Sequence, residues 1–464
     1  MRLRKIVKSL PYPVRQGAKY IYGALPTKLR YGRVFWETYN FLQESQWWSR
    51  EKLEEYQMQQ LSKLLHHAYE NVPYYRRIFD ERGLKPKDIQ DFDNLKKLPY
   101  LTKDDFKIHF DELVARNINV KNLPMGHTSG TSGKPLQFYT SSVIAQKELA
   151  FIFHQWSRVG YEPGDARVEM RGQLKEENET VEFIPSSKVL RLSPRIDNKE
   201  IARYYLEKIK EFKGSFLHGY PSTIASFAHT IKKCGLLVPF RLKAVFFASE
   251  AIYDWEREIV NDVFNCRVFC HYGLAEQVVL AAECEISHFY HCLPQYGITE
   301  FDPETNEIIG TSLLNYINPF IRYKTTDIAF NIKQNSYCCN RSYYPMFEKL
   351  EGRIEDYIVT SHGLIGPAII THPFKDLKTI KETQIVQKAI NYIFLRVVKW
   401  EDKEKSEFNS ETNQLSYDLQ QIFGDDMRIE VKEVEEIERT KSGKFKWIVS
   451  EVAHDSLEHG LDLI

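Results

Sequence analysis

Residues 126–135 of this chain read Gly126-His127-Thr128-Ser129-Gly130-Thr131-Ser132-Gly133-Lys134-Pro135. The three glycines of this stretch allow positive φ and let backbone N–H groups approach a ligand closely. Successive N–H groups in such a turn form a concave site for anions. Four hydroxyl side chains and one lysine add hydrogen-bond donors and a positive charge. The stretch therefore predicts a cradle for the phosphates of a nucleotide.

This stretch differs from the P-loop of kinases and GTPases, which has four residues between its glycines and Ser or Thr after its lysine. Here two residues separate Gly130 from Gly133, and Pro135 follows Lys134. Proline disfavours the α region at the preceding residue, so we expect the loop to continue into a strand and not a helix. When the loop is considered without other motifs, a flexible surface hairpin is the alternative to a phosphate-binding loop.

The loop resembles the phosphate-binding loop of adenylate-forming enzymes, Thr-Ser-Gly-Thr-Thr-Gly-Lys-Pro, with Ser132 as the one change. Surrounding features narrow the resemblance to the branch of phenylacetate–CoA ligase and the capsule-locus CapK proteins, and it covers most of the chain. The resemblance implies a ligase that uses ATP and Mg²⁺ to turn a carboxylic acid into an acyl-adenylate. A thiol such as CoA, or an amine, then displaces AMP, and the acyl group is destined for a capsular or surface polysaccharide.

Composition restricts the class of protein. The 464 residues suffice for two or three domains, and an aromatic content of 13% indicates a globular chain. A formal net charge of +0 argues against nucleic acid as the main partner. Seven cysteines without an apparent secretory leader predict a reducing, cytoplasmic compartment, and no apolar stretch approaches the roughly 20 residues of a membrane span.

Charge is uneven at the N-terminus, where nine basic residues and no acidic one precede Glu37. Apolar and aromatic residues such as Ile6, Tyr20 and Tyr22 lie between the basic ones. Such a segment can bind an anionic surface at the inner face of the membrane, with about 1 kcal/mol from each basic residue. It can equally be a solvated terminus, and the sequence leaves both interpretations open.

Strands alternate with helices of ten or more residues in the middle of the chain. This pattern predicts an α/β fold with a largely parallel sheet, preceded by a helical entry region at 35–125. Further on, short strands are predicted at 307–311, 320–323 and 328–332, followed by a polar linker at 350–357.

The predicted domain organisation has three parts. Residues 1–34 form the basic N-terminal segment, and residues 35–351 form a large adenylation domain of layered sheets and helices. Residues 352–464 form a small, mobile α+β domain that follows a hinge.

Two carboxylates near strand ends complete the predicted nucleotide site. Tyr272, Gly273 and Glu276 follow the family pattern Tyr-Gly-x-Thr/Ser-Glu, from which only Ala275 departs. Since Mg²⁺ takes few protein carboxylates and several phosphate oxygens, Glu276 is predicted to bind it. Asp327 ends a segment that resembles Tyr-Arg-Thr-Gly-Asp with a threonine in place of the glycine, and it is predicted to bind both ribose hydroxyls.

Three further motifs carry predicted roles by resemblance. Gly-Arg-Ile-Glu-Asp at 352–356 is similar to a hinge motif, which places Arg353 on the nucleotide and makes Glu355 the pivot. Residues 439–444 resemble Arg-Thr-x-Ser-Gly-Lys, whose lysine stabilises charge on the α-phosphoryl group in the transition state. Catalytic roles are therefore predicted for Lys444, Thr131 and Glu276.

The remaining predicted contacts concern adenine and the acid. Ser249, Glu250 and Ala251 match the adenine-contact turn of the family. The segment 216–222 falls where the acid pocket begins, and Tyr220 and His271 are predicted to contact the substrate.

A cysteine and histidine set allows two interpretations. Cys284, His291, Cys338 and Cys339 resemble a set found in relatives and contain the thiolate and imidazole groups that a structural zinc ion prefers. Because two of the cysteines are adjacent, buried free thiols remain the alternative.

Two rival functions remain open at the level of sequence. One is a nucleotide-binding, membrane-associated assembly factor without turnover, which the departures at Ala275 and Thr326 favour. The other is phosphoryl transfer of the kinase type, which lacks its usual motifs here. Product analysis separates them, because the ligase yields AMP and pyrophosphate, the kinase yields ADP, and the assembly factor yields neither.

Overall fold

The computed structural model describes residues 12–128, 136–171, 174, 180–194, 196, 199–250, 252–334, 339–341, 343–353, 357–361, 363–365, 370, 372–374, 377–439 and 445–452. Helices come first in the chain. They are α1 (Tyr12–Ala24), α2 (Thr27–Ser45), α3 (Arg50–Asn71), α4 (Pro73–Glu81), α5 (Phe92–Leu95) and α6 (Lys103–Ile108). None of the described helices combines the length and the apolar character that crossing a bilayer requires.

The helical entry region forms as predicted because its ends are capped and one face is apolar. At the start of α3, the Ser49 hydroxyl accepts a hydrogen bond from the backbone N–H of Lys52. At α6, Thr102 and Asp105 form a capping box. Four of the five buried side chains of α3 join the main core, and Leu53 packs in a separate cluster. The four are Leu61, Leu64, Leu65 and Ala68.

The large domain continues through alternating strands and helices. Its elements are β1 (Met125–His127), β2 (Gln137–Tyr139), α7 (Ser142–Ser157), β3 (Arg167–Met170), β4 (Val181–Ile184), β5 (Val189–Leu192), α8 (Lys199–Phe212), β6 (Phe216–Gly219), α9 (Pro221–Lys233), β7 (Ala244–Ala248), α10 (Asp254–Phe264), β8 (Arg267–Gly273), β9 (Leu280–Glu283), β10 (Tyr290–Cys292), β11 (Gly297–Phe301), β12 (Glu307–Ser312), β13 (Tyr323–Phe330), β14 (Met346–Phe347) and β15 (Lys349–Arg353).

Nine of these strands form one sheet in the order β14-β10-β9-β8-β7-β6-β3-β5-β4. The central pairs from β5 to β8 are parallel, whereas the pairs on both flanks are antiparallel. The predicted α/β class is confirmed, and its parallel part is the centre of the sheet. Helix α7 packs an aromatic face there, with the Trp156 ring stacked 4.4 Å from that of Phe246.

A second sheet has the order β11-β12-β13-β15. It corrects two sequence predictions. The strands expected at 320–323 and 328–332 are one strand, β13, in which buried and partly exposed residues alternate through a polar stretch. The segment 350–357, predicted as a linker, begins inside β15, whose Gly352 pairs with Ile328.

The C-terminal part has its own sheet and core. It consists of β16 (Ile358–Thr360), β17 (Gly363–Ile365), β18 (Ile380–Ala389), β19 (Tyr392–Lys399), α11 (Lys405–Phe423), β20 (Arg428–Glu433) and β21 (Ile448–Ser450). Four strands pair in the order β20-β19-β18-β21, and α11 packs against them through Phe408, Leu415 and Leu419. This arrangement is the predicted small α+β domain.

Candidate active site

The hairpin of β1 and β2 positions the base of the glycine-rich loop. Thr128 and Leu136 close it, because the Leu136 N–H donates to the Thr128 hydroxyl at 2.9 Å. Gly126 is required opposite Phe138, since a Cβ at Gly126 would lie 2.6 Å from that ring. The loop continues into a strand, as predicted. Six predicted phosphate contacts lie outside the described residues, namely Ser129, Gly130, Thr131, Ser132, Gly133 and Lys134.

Two tyrosine–carboxylate contacts join the end of β8 to β13. The Tyr272 hydroxyl donates to Asp327 at 2.7 Å, and the Tyr323 hydroxyl donates to Glu276 at 3.1 Å. Each segment thus supplies the tyrosine that holds the carboxylate of the other. Both carboxylates are only 7% exposed. The structure therefore brings Glu276 and Asp327 together, although they are 51 positions apart in the sequence.

Strained backbone occurs directly next to both carboxylates. Gln277 and Thr326, the neighbours of Glu276 and Asp327 in the chain, have φ values of 60° and 65°. Ser249 of the predicted adenine turn and Arg322 before β13 have φ values of 74° and 52°. Such left-handed conformations cost about 1–3 kcal/mol each in residues other than glycine and cluster at functional sites. Thr326 adopts the backbone conformation that favours glycine, the residue found here in the family pattern. Its departure from that pattern therefore leaves a left-handed turn in place beside Asp327.

The predicted adenine turn contacts the C-terminal domain. Glu250 accepts a hydrogen bond from the Ser222 hydroxyl at 2.8 Å and another from the Phe445 backbone N–H at 3.2 Å. Phe445, which follows the terminal motif in the sequence, therefore lies at the predicted adenine turn. Because Ser222 contacts Glu250, the start of α9 adjoins the same turn, and the N-cap position of this helix is Tyr220.

Several predicted residues near this contact are not described. Ala251, Lys444 and Glu355 lie outside the described residues. The backbone of Arg353 pairs with Asp327 at the end of β15, but its side chain is also outside the described part.

Sequence reasoning missed an aromatic interface between the two domains. Trp400 of the C-terminal domain stacks on His229 of α9, and Lys233 lies 3.8 Å above the same indole. Lys233 also forms an ion pair with Asp402 at 3.0 Å. Trp447 packs against Trp255 nearby, and a cavity of about 340 Å³ separates the two tryptophan contacts. The sequence feature that could have indicated this interface is the presence of two tryptophans, Trp400 and Trp447, in a strongly charged segment.

The predicted acid-binding residues lie at neighbouring strand ends. Tyr220 is buried, and the Arg171 guanidinium lies 5.7 Å from its ring centroid. His271 is half-buried, while His218, which was not predicted, is buried. Burial is the main cause that lowers the pKa of His218 to about 4 and that of His271 to about 3. Both imidazoles are therefore neutral at pH 7.

The structure also brings together the predicted zinc ligands that it describes. The ligand atoms of Cys284, His291 and Cys339 all lie within 4.8 Å of one another, while Cys338 is outside the described residues. Hydrogen bonding with Cys339, more than with His291, holds the pKa of the Cys284 thiol well below its usual range. Tetrahedral zinc, with bonds of about 2.0–2.3 Å, requires ligand atoms roughly 3.3–3.8 Å apart. The donor set fits zinc, and the 3.6 Å between Sγ of Cys339 and Nε2 of His291 lies within this range.

Comparison with known proteins agrees with this geometry. Residues 358–451 match the family described as the CapK C-terminal domain. Protein CapK of Staphylococcus aureus is 24% identical over 454 residues, which cover 93% of this chain and 96% of that protein. A phenylacetate-coenzyme A ligase of Aromatoleum evansii is 23% identical over 434 residues, covering 86% of this chain and 95% of the ligase.

Solved structures show the same fold. A 2-hydroxyisobutyryl-CoA ligase in the postadenylation state with 2-HIB-AMP is 18% identical and gives a TM-score of 0.66 over 86% of this chain and 89% of its own. The same ligase in the thioesterification state gives a TM-score of 0.55 at 17% identity, and the match covers 87% of this chain and 90% of the ligase. The chain thus has the adenylate-forming fold, ends in a match to the CapK C-terminal domain, and is similar along nearly its whole length to CapK and to phenylacetate–CoA ligases.

Proposed function

We propose that this chain is an AMP-forming acid ligase, which joins a carboxylic acid to AMP and then transfers the acyl group to a thiol such as CoA or to an amine. The observation that carries the proposal is the pair of buried carboxylates, Glu276 and Asp327, each held by a tyrosine of the other segment. The Glu276 carboxylate suits a metal ion that is bound to phosphate, and the Asp327 carboxylate suits the two hydroxyls of a ribose. The glycine-rich hairpin is linked to this pair, since Phe138 packs on Phe320 and Phe320 on Tyr323, the partner of Glu276. This arrangement favours a single bound ATP.

Each part of ATP has a proposed contact. The loop from Thr128 to Lys134 binds the phosphates, and the turn from Ser249 to Ala251 contacts adenine. Asp327 binds the ribose hydroxyls, and Arg353 contacts the nucleotide. Tyr272 and Gly273 border the same cleft. Glu276 would hold Mg²⁺, since its buried carboxylate already accepts one hydrogen bond from Tyr323 and retains acceptor capacity. When bound, Mg²⁺ supplies positive charge to the phosphate oxygens.

The first half-reaction forms a mixed anhydride. An oxygen of the substrate carboxylate attacks the α-phosphorus, and the bond to the β-phosphate oxygen breaks so that pyrophosphate leaves with the electron pair. Tyr220 and His271 hold the acid in line, and such positioning contributes several kcal/mol. Lys444, with Thr131 and the other loop donors, stabilises the charge that develops on the phosphoryl oxygens.

The second half-reaction requires the C-terminal domain to move about Glu355. The acceptor thiol or amine attacks the acyl carbonyl, and AMP leaves. The contact of Phe445 with Glu250 supports a position of the C-terminal domain beside the proposed adenine turn during the first half-reaction. We also propose that the reaction takes place in the cytoplasm and that the acyl product enters the synthesis of a capsular or surface polysaccharide, as the resemblance of the motifs to capsule-locus proteins implies.

Product analysis tests the ligase. The full chain is incubated with ATP, Mg²⁺ and a panel of carboxylic acids, and nucleotides are separated by chromatography. We expect AMP and pyrophosphate in equal amounts, dependent on the acid. Formation of ADP would indicate phosphoryl transfer instead. Tight ATP binding without any product would favour the alternative, a nucleotide-binding assembly factor.

We also propose that Cys284, His291 and Cys339, together with Cys338, hold a structural zinc ion. The purified chain should contain about one zinc per molecule by elemental analysis, and Cys284→Ser should lose most of it because a tetrahedral site needs all four ligands. The loss should lower the melting temperature, since binding free energy at such a site is folding free energy. Cys234→Ser is the matched control, and equal zinc content in the two variants would contradict the site.

The basic N-terminal segment is proposed to bind an anionic membrane surface. Ile21 and Leu29 are 70% and 68% exposed, and Tyr20, Tyr22 and Leu25 are exposed beside them. Basic residues surround this apolar surface, and no acidic residue precedes Glu37. Apolar insertion and attraction to anionic lipid therefore act together.

Vesicle flotation tests this contact. The chain should float with vesicles that contain phosphatidylserine and much less with pure phosphatidylcholine. The double substitution Ile21→Ser/Leu29→Ser should reduce the floated fraction at least about tenfold, because burial of each side chain contributes roughly 1.5–3 kcal/mol. Leu237→Ser is the control, since Leu237 is 89% exposed elsewhere on the domain. Unchanged flotation of the double variant would remove the proposal.

A further inference from the structure

A cluster of polar side chains surrounds the C-terminal ends of β3, β6 and β8. Arg171 directly follows β3, and its Nη1 donates to Nε2 of His218 at 3.1 Å. This bond places the ring proton of the neutral imidazole on Nδ1. The two strand ends approach closely, since a Cβ on Gly219 would lie 2.4 Å from the carbonyl oxygen of Met170. The Arg171 guanidinium is therefore fixed by the sheet and not by a loose loop.

The charge of Arg171 lacks a counter-ion within the described part of the chain. The neighbouring carboxylate of Glu169 is already paired with Arg167 at 2.8 Å and with Arg191 at 3.1 Å. A partly buried charge is stable only where an opposite charge or several hydrogen bonds compensate its desolvation. A negatively charged ligand group would supply both.

Two more nitrogens next to Arg171 are unsatisfied. Nε1 of Trp156 and Nδ1 of His271 are buried and have no hydrogen-bond partner among the described residues. Their rings lie 6.4 Å apart, and the Trp156 ring is 4.8 Å from that of His218. Because buried polar atoms are almost always paired, this set indicates a polar ligand. The indole can only donate, so the ligand group must accept hydrogen bonds.

The cluster lies beside the proposed nucleotide site. Tyr220, whose ring centroid lies 5.7 Å from the Arg171 guanidinium, is two residues before Ser222, whose hydroxyl donates to Glu250 of the proposed adenine turn. We propose that the acid activated by this chain carries a second anionic group, and that Arg171 binds that group with hydrogen bonds from Trp156 and His271. This inference rests on the proposed ligase function and names its substrate class. An apolar acid would leave these nitrogens and the guanidinium unpaired.

Matched acids test the substrate class. Glutarate and pentanoate have the same number of carbons and differ by one carboxylate, and 4-phosphonobutyrate carries a phosphonate at the same end. For the full chain we expect kcat/KM for AMP formation with glutarate or 4-phosphonobutyrate to exceed that with pentanoate by roughly 10–100-fold, the range for a charged hydrogen-bonded pair. The better of the two dianionic acids identifies the anionic group.

Substitution of Arg171 tests the residue. Arg171→Met keeps the length of the side chain and should bring the ratio between glutarate and pentanoate close to one, through a higher KM for glutarate alone. Arg171→Lys should restore part of the ratio. A merely structural role of Arg171 would lower the activity with both acids equally, and that result would overturn the inference.

Binding provides a readout that needs no turnover. Thermal-shift titrations in the presence of ATP should show tighter binding of glutarate than of pentanoate to the wild type, and no difference for Arg171→Met. If pentanoate or phenylacetate is preferred in both assays, the inference fails while the ligase stands. If no acid yields AMP, the proposed function fails and this substrate class fails with it.

Discussion

Replacing Lys444 with alanine should lower acid-dependent pyrophosphate exchange by about 10²–10³-fold while the Kd for ATP changes less than about threefold. The reason is that the lysine is proposed to meet charge that exists fully only in the transition state, and loss of one such donor costs about 2.7–4 kcal/mol. The Phe445 N–H contacts Glu250 of the predicted adenine turn at 3.2 Å, and Phe445 follows Lys444 in the sequence. Exchange is measured with labelled pyrophosphate, and binding by calorimetry.

Lys441→Ala is the matched control for this experiment. It removes the same charge from the variable position of the same motif and should leave exchange unchanged. Transfer of the acyl group from preformed acyl-adenylate is a second control, because it follows movement of the lysine away from the site. Lys444→Ala should therefore retain most of that step. Equal loss of exchange in both lysine variants would contradict the assignment and point to the net charge of the motif.

The sequence predicted the α/β class and located Tyr272 and Glu276 at the end of a strand, for physical reasons that can be identified. Both residues follow a run of strand-forming residues, and the ends of parallel strands converge on one edge of a sheet. Local pattern was therefore sufficient to locate these residues at a strand end, and their contacts with a nucleotide stay predictions.

Pairing between distant segments could not be predicted in this way. The contacts from Tyr272 to Asp327 and from Tyr323 to Glu276 join residues 55 and 47 positions apart. No local period encodes such a contact, since it depends on how the two sheets pack. The same limit explains why β13 was divided into two strands, because the polar Thr325 and Thr326 interrupt its apolar pattern although Thr325 is buried in the sheet.

The domain interface was missed for a related reason. Trp400 and Trp447 lie in a charged segment, where a single tryptophan indicates burial but not its partner. Only the structure identifies His229 and Trp255 as those partners. In the proposed mechanism the domain moves for the second half-reaction, and these contacts would stabilise its position during the first.

Asp327→Ala should raise the Kd for ATP by about 10²–10³-fold, since each hydrogen bond from a ribose hydroxyl to a carboxylate contributes roughly 1.5–3 kcal/mol. The contribution of the ribose is isolated with 2′,3′-dideoxy-ATP, which lacks both hydroxyls. The wild type should bind this analogue as weakly as Asp327→Ala binds ATP. The Kd values of Asp327→Ala for ATP and for the analogue should be nearly equal. Calorimetric titration of both nucleotides into both proteins gives the four constants.

The variant Tyr272→Phe separates the proposed contact of Asp327 with the ribose from its structural contact with Tyr272. It removes the 2.7 Å contact to Asp327 but leaves the carboxylate, so it should reproduce the stability loss of Asp327→Ala while weakening ATP binding only about tenfold. Thermal unfolding of both variants checks the first part. If Asp327→Ala retained the wild-type ratio between ATP and its dideoxy analogue, the carboxylate would not contact the ribose. Asp327 would then be a structural partner of Tyr272, and ATP would have to be held by the other proposed contacts.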